Sequence, residues 1–239
     1  MTSTPGTKTS ACNCNQMQGT VLTRRKFRPL IAVLLALDLL VVYATPIEFE
    51  VVHEWAGIVA FALVIIHCTI NRRWFAALFK GKYRPLRVVS TTLVAAMIAC
   101  MLALAVSSII ISRHAFGFLP AMPGSSWARE AHLACSSWLF ILAFIHSGMH
   151  MRLVLPVRQG NVASRIWVAG LAVISVCGIL ALIALGIPDY LFLQSLFYNG
   201  WDGPMWSGVL LYVASAIGMA CIGRLISFML MRRTSSSAC

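Results

Sequence analysis

Charged side chains make up only 11% of this 239-residue chain, less than half of the ~25% usual in soluble domains. Acids are scarcer still, 7 against 19 lysines and arginines. With 59% hydrophobic residues and a mean hydropathy of +0.83, that scarcity excludes a disordered chain and leaves little room for a soluble enzyme with one buried core. The sequence also lacks CxxCH, so covalent c-type haem attachment is not indicated. It lacks a four-ligand zinc pattern: Cys12 and Cys14 form a lone CxC in a polar tail. Cys68, Cys100, Cys135, Cys177 and Cys221 lie inside apolar runs, where cysteine acts as a small hydrophobe.

What is present is a series of apolar runs, each near the ~20 residues that cross a bilayer as a helix. The sequence predicts an all-α polytopic membrane protein with six spans. They cover about Pro29–Thr45, Val52–Ile70, Val88–Ser112, Ala131–Met151, Ile166–Ile187 and Ser207–Leu230. Residues 1–23 are polar and read as a disordered tail. Arg24, Arg25, Lys26 and Arg28, with Thr23 and Phe27, resemble a twin-arginine export signal. No small-residue cleavage site follows and further spans do, so the cluster reads as a topogenic flank.

Orientation follows from the basic residues. With both termini in the cytoplasm, all lysines and arginines except Arg113 and Arg129 fall inside, and every acid except Asp38 falls outside. The net charge of +12 then has a sufficient cause in topology, and no nucleic-acid motif competes with it. Segment 188–206 is aromatic and poor in charge. It reads as an outer interfacial helix or re-entrant stretch, with Tyr190, Tyr198, Trp201 and Trp206 at headgroup depth.

The histidines carry the chemistry. His53 and His67 lie on span two, His132 and His146 on span four, and each pair is fourteen residues apart. Fourteen residues fall about 40° short of four helical turns, so each pair shares a face, its members ~21 Å apart along the axis. Both spans run from outside to inside. His53 is therefore level with His132 near the outer surface, and His67 with His146 near the inner one. Two imidazoles from facing helices at one depth suit the axial positions of a low-spin haem, and two such pairs imply two haems stacked across the membrane. Small residues near these stripes (Gly57, Ala60, Val64, Ser136, Ala143) fit close approach of a flat ring, but equally fit ordinary helix packing.

His114 and His150 stand beside these pairs. His114 has three further readings: replacing His53 or His132, bonding a propionate, or accepting a quinol proton. His150, one turn beyond His146, has two: replacing it, or joining it in an HxxxH metal pair. For both, polar support is the favoured role. Arg113 and Arg129, the only bases expected outside, flank the outer pair and suit haem propionates. Arg72, Arg73 and Arg152 flank the inner pair and offer counter-charges to propionates there, with plain topology the slightly favoured reason for them. Asp38 is the only acid inside a span, so it faces the bundle or is protonated; a proton route and a polar contact both remain open.

The stretches HEWAGIVAFALVIIHCTINRRWF (53–75), SRHAFGFLP (112–120) and AREAHLACSSWLFILAFIHSGMH (128–150) resemble the flavinylation-associated cytochromes, a b-type membrane family. The resemblance covers about residues 30–150, and the histidine spacing is similar to that of the cytochrome b four-helix core. It implies two non-covalent haem b groups and electron exchange between a quinone pool and extracytoplasmic flavoproteins or reductases. By position, His53, His67, His132 and His146 are the ligand candidates. The expected organisation is a tail, a haem-binding four-helix bundle over 24–152, and two added spans over 153–239. The chain is expected in the cytoplasmic membrane as an electron-transfer subunit with no catalytic residues of its own. Any flavin is expected on a partner. The competing readings are a metal- or proton-coupled transporter using His and Asp38, and an anchor subunit without cofactor.

Overall fold

The computed structural model describes residues 27–45, 49–80, 84–118, 126–151, 162–195 and 201–236, with side chains to 231 in the last segment. Tail 1–23 with its CxC, the basic residues 24–26, and Glu48, Arg152 and Tyr198 lie outside the described residues. Among the described residues every regular element is a helix, and six helices are long and apolar enough to cross a membrane. They are α1 (Phe27–Ala44), α2 (Glu50–Ile70), α4 (Pro85–Ile111), α5 (Ser126–His150), α6 (Val162–Ala184) and α8 (Met205–Ser236). Two short helices, α3 (Arg72–Ala76) and α7 (Ile187–Leu191), follow α2 and α6. The chain is a multi-pass helical membrane protein. Its outward apolar side chains, among them Ile65, Leu102 and Leu180, are exposed and suit lipid contact.

The helices outrun the apolar stretches that predict them. α5 begins five residues before its predicted start and carries Arg129 and Glu130 in its first turns, and α8 continues through Arg232 and Arg233. Hydropathy marks the depth of the hydrocarbon, whereas backbone hydrogen bonding continues into the headgroups. Local signals set several ends. Pro85 opens α4, where its missing N–H costs nothing. Gly186, at φ 66°, turns the chain between α6 and α7 in a conformation that glycine adopts without strain.

Packing centres on α5 and α8. α8 runs along both α5 and α6, and α4 lies along α5. The close approach rests on small residues: Gly178 opposes Gly218 between α6 and α8. Between α5 and α8, a methyl added at Gly148 would run into the Ala220 carbonyl, and one at Gly223 into that of Ile145. Phe140 and Phe144 of α5, Leu182 of α6, Ile187 of α7 and Tyr212, Ala216 and Met219 of α8 form the core, with Leu39, Leu40 and Tyr43 of α1 against it. Tyr190 is buried at 6% exposure because α7 tucks against α5 and α6. Trp206 is 67% exposed.

α2 is different. None of its residues is buried, and among the described residues its backbone does not run in close contact with α4 or α5. It is tied to α1 instead. Arg28 Nη2 donates to the Ile70 carbonyl at 3.4 Å, and His53 Nδ1 lies 3.0 Å from the Val42 carbonyl. The helices are therefore antiparallel neighbours joined at both ends.

Candidate functional site

Each histidine of the two predicted pairs sits on a membrane-spanning helix; the structure brings the rings of His53 and His132 together between α2 and α5, whereas His67 makes no ring contact with His146. At the end that carries the acids, the rings of His53 and His132 face each other with centroids 6.1 Å apart and planes inclined at 58°. Because a carbonyl only accepts, the 3.0 Å contact to Val42 makes His53 Nδ1 the protonated nitrogen and leaves Nε2 free. His132 Nδ1 lies 3.5 Å from Ser107 Oγ and 3.4 Å from Ser108 Oγ, both on α4. Ser107 also donates to the Leu104 carbonyl at 3.2 Å, which leaves its oxygen to accept from the imidazole. Both rings are thus steadied through Nδ1, the arrangement by which proteins orient metal-bound histidines.

The fit to a metal between them can be tested by length. With metal–imidazole bonds of about 2 Å, two rings on opposite sides of one metal have centroids about 6 Å apart. The observed separation matches. Gly57, one turn from His53, leaves the intervening face of α2 clear: a Cβ built there meets nothing within 4 Å.

At the basic end, His146 and His150 lie one turn apart, their ring centroids 4.6 Å apart and their planes inclined at 56°. His67 lies within electrostatic reach of both. His146 Nδ1 is buried with no hydrogen-bond partner among the described residues, whereas His150 is exposed. Among the described residues, however, no three His, Cys, Asp or Glu side chains are grouped closely enough to hold one metal ion. Arg72 and Arg73 are exposed nearby in α3.

The residue that sequence reasoning passed over is Glu54, read only as an outer acid. Its carboxylate gathers the end of α4. Ser112 Oγ donates to Oε2 at 2.8 Å, Arg113 N–H to Oε1 at 2.9 Å and Ala115 N–H to Oε2 at 2.7 Å. The His114 N–H is shared between both oxygens at 3.3 and 3.1 Å. Three successive backbone donors on one anion form a nest. It ties α2, one residue from His53, to the loop after α4. The neighbouring Glu50 engages the side chains of this loop, with Oε1 3.5 Å from Arg113 Nη1 and Oε2 3.7 Å from His114 Nε2. His114 therefore points to a carboxylate at the surface. Arg129 is exposed on the first turn of α5, beside the half-buried Glu130 and exposed Trp127. Asp38, midway along α1, has one buried carboxylate oxygen with no hydrogen-bond partner among the described residues.

No family model, curated protein or solved structure matches the chain.

Proposed function

We propose that the chain is a di-haem b-type cytochrome of the flavinylation-associated kind. It passes electrons across the cytoplasmic membrane between a quinone pool and an extracytoplasmic flavoprotein or reductase. The observation that carries this reading is the 6.1 Å pairing of His53 and His132 across two helices that do not otherwise pack closely. Haem, when bound, supplies a one-electron centre at each end.

The chain's own residues do the holding. His53 and His132 are the ligands at the acidic end, oriented by Val42 and by Ser107 and Ser108. His67 and His146 are the ligands at the basic end, with His150 as polar support. Arg113 and Arg129 offer guanidinium groups to propionates, which Arg binds well. A His/Asp38 transporter accounts for neither the equal spacing nor the 6.1 Å pairing.

Reconstituted into vesicles loaded with ferricyanide, the protein is expected to let external dithionite reduce the trapped oxidant. Protein-free vesicles give the background. A rate equal to background in protein of full haem content would contradict transmembrane electron flow. At the acidic end, His114 and Glu130 are the groups able to accept protons or meet a partner. His114→Ala or Glu130→Gln is expected to slow exchange with an extracytoplasmic donor severalfold while both haems stay bound, as read by stopped-flow reduction. Wild-type rates in both variants would move the exchange site elsewhere, and haem loss in His114→Ala would make that residue a ligand.

Glu54 yields a separate expectation. Hydrogen bonds to an ionised group contribute ~1.5–3 kcal/mol each, less where water reaches them. Glu54→Ala is therefore expected to free the outer end of α2 and lower haem occupancy at His53/His132 by half or more. Occupancy at His67/His146 is expected to stay near wild type. Low-temperature α-band spectra distinguish the two sites, and equal loss from both would show a general folding defect instead.

A further inference from the structure

The basic end carries a charged patch that the histidines do not use. Between α2 and α4 the stretch 72–87 holds Arg72, Arg73, Lys80, Lys82, Arg84 and Arg87 and no acid. Arg72, Arg73, Lys80 and Arg84 are exposed, and none of these four pairs with an acid among the described residues. Positive-inside topology explains the side of the membrane on which such bases lie. It does not explain how they are gathered.

The gathering is built around Arg87. Its guanidinium reaches from the first turn of α4 to the chain just past α3, where it donates to the Ala77 carbonyl and, at 3.3 Å, to that of Leu78. The Ala77 carbonyl also accepts from the Lys80 N–H at 3.0 Å, and the Ala77 N–H donates to the Arg73 carbonyl at 3.2 Å. The carbonyl of Arg84, the N-cap of α4, accepts from the Arg87 N–H at 2.9 Å. Arg73, Lys80 and Arg84 are therefore each anchored about one turn from the same junction, ~5 Å along the backbone. Three exposed cations so placed repel one another, and an anion that neutralises them is favoured there.

The apolar neighbours select that anion. Phe79 is 97% exposed, more than any other large hydrophobic side chain among the described residues. Trp74 and Phe75 pack edge to face shortly before it, with centroids 5.1 Å apart. Aromatic rings among bases at the ends of two spans belong at headgroup depth. A bare phenyl ring beside three cations fits a ligand with acyl chains on one side and a phosphodiester on the other. An acidic protein or a nucleic acid would cover the charges and give Phe79 nothing. Guanidinium groups take phosphate oxygens in bidentate pairs. We infer that Arg73, Lys80 and Arg84 bind the phosphodiester head group of an anionic phospholipid in the leaflet at the basic end. The inference stands apart from the cytochrome reading.

The test reconstitutes the full-length protein in phosphatidylcholine with a trace of spin-labelled phosphatidylglycerol, or of spin-labelled phosphatidylcholine for reference. Electron paramagnetic resonance reads the fraction of label immobilised on the protein. Wild type is expected to hold the anionic label severalfold more strongly than the zwitterionic one. R73Q/K80Q/R84Q is expected to bring the two labels within about twofold of each other, because each base near the surface contributes. R165Q/R232Q/R233Q removes the same charge from α6 and α8 at the same end and is expected to keep most of the preference. R73K/R84K keeps the charge that sets topology, so it is read even where the glutamine variant fails to insert. Its preference is expected to fall severalfold short of wild type, since an ammonium cannot pair bidentately. No preference in wild type, an equal loss in the α6/α8 variant, or an undiminished preference in R73K/R84K overturns the proposal. Inorganic phosphate at constant ionic strength is expected to leave the label bound. Its displacement would overturn the lipid assignment in favour of a site for free anions.

Discussion

His132→Ala is expected to remove one haem of two and leave the other with its own spectrum and potential. His132 and His146 are fourteen residues apart on one helix, ~21 Å along the axis, too far to share a metal. The remaining partner at the acidic end, His53, cannot complete a bis-histidine site alone. His114 does not replace His132 while its Nε2 is turned toward Glu50, 3.7 Å away. The expected result is half the wild-type haem by pyridine haemochrome and one wave in place of two in a redox titration. Imidazole added to the medium is expected to restore part of the lost signal if the site keeps its shape. Full haem content in His132→Ala, with loss in His114→Ala, would transfer the ligand role to the loop after α4.

The second large effect separates His146 from His150. The two rings lie 4.6 Å apart and His67 is within electrostatic reach of both, so proximity alone does not choose between them. Shelter and depth do. His146 repeats the fourteen-residue spacing that puts it level with His67, and its Nδ1 is buried, whereas His150 is exposed. His146→Ala is therefore expected to lose the haem at the basic end and keep the one at His53/His132. His150→Ala is expected to keep both. The reverse pattern would place the ligand one helical turn further along α5.

The parts of this account that sequence exposes are those governed by a single helix. Six apolar runs mark six helices because the hydrocarbon demands length and composition, whatever the packing. The histidine faces are legible for the same reason: fourteen residues bring a side chain back to nearly the same face of any α-helix. What escapes is everything set between helices. Glu54 meets its donors on residues 112–115, more than fifty positions away, through a loop whose path no local pattern fixes. Ser107 and Ser108 look like ordinary polar breaks in an apolar run until α5 is placed beside them. Tyr190 reads as an interfacial aromatic because its neighbours are aromatic and uncharged. Its burial against α5 and α6, which follows the turn at Gly186, has no signal in those neighbours. The standing of α2 apart from α4 and α5 has no sequence signal of its own beyond the histidines that line it.

The central claim is that two histidine pairs hold two non-covalent haems. It is tested most directly by counting haem in the purified full-length protein from haem-replete cells, by pyridine haemochrome against amino-acid analysis. The account predicts about two haem b per chain, extractable into acid acetone because no CxxCH anchors them. A folded, monodisperse preparation carrying no haem would contradict it.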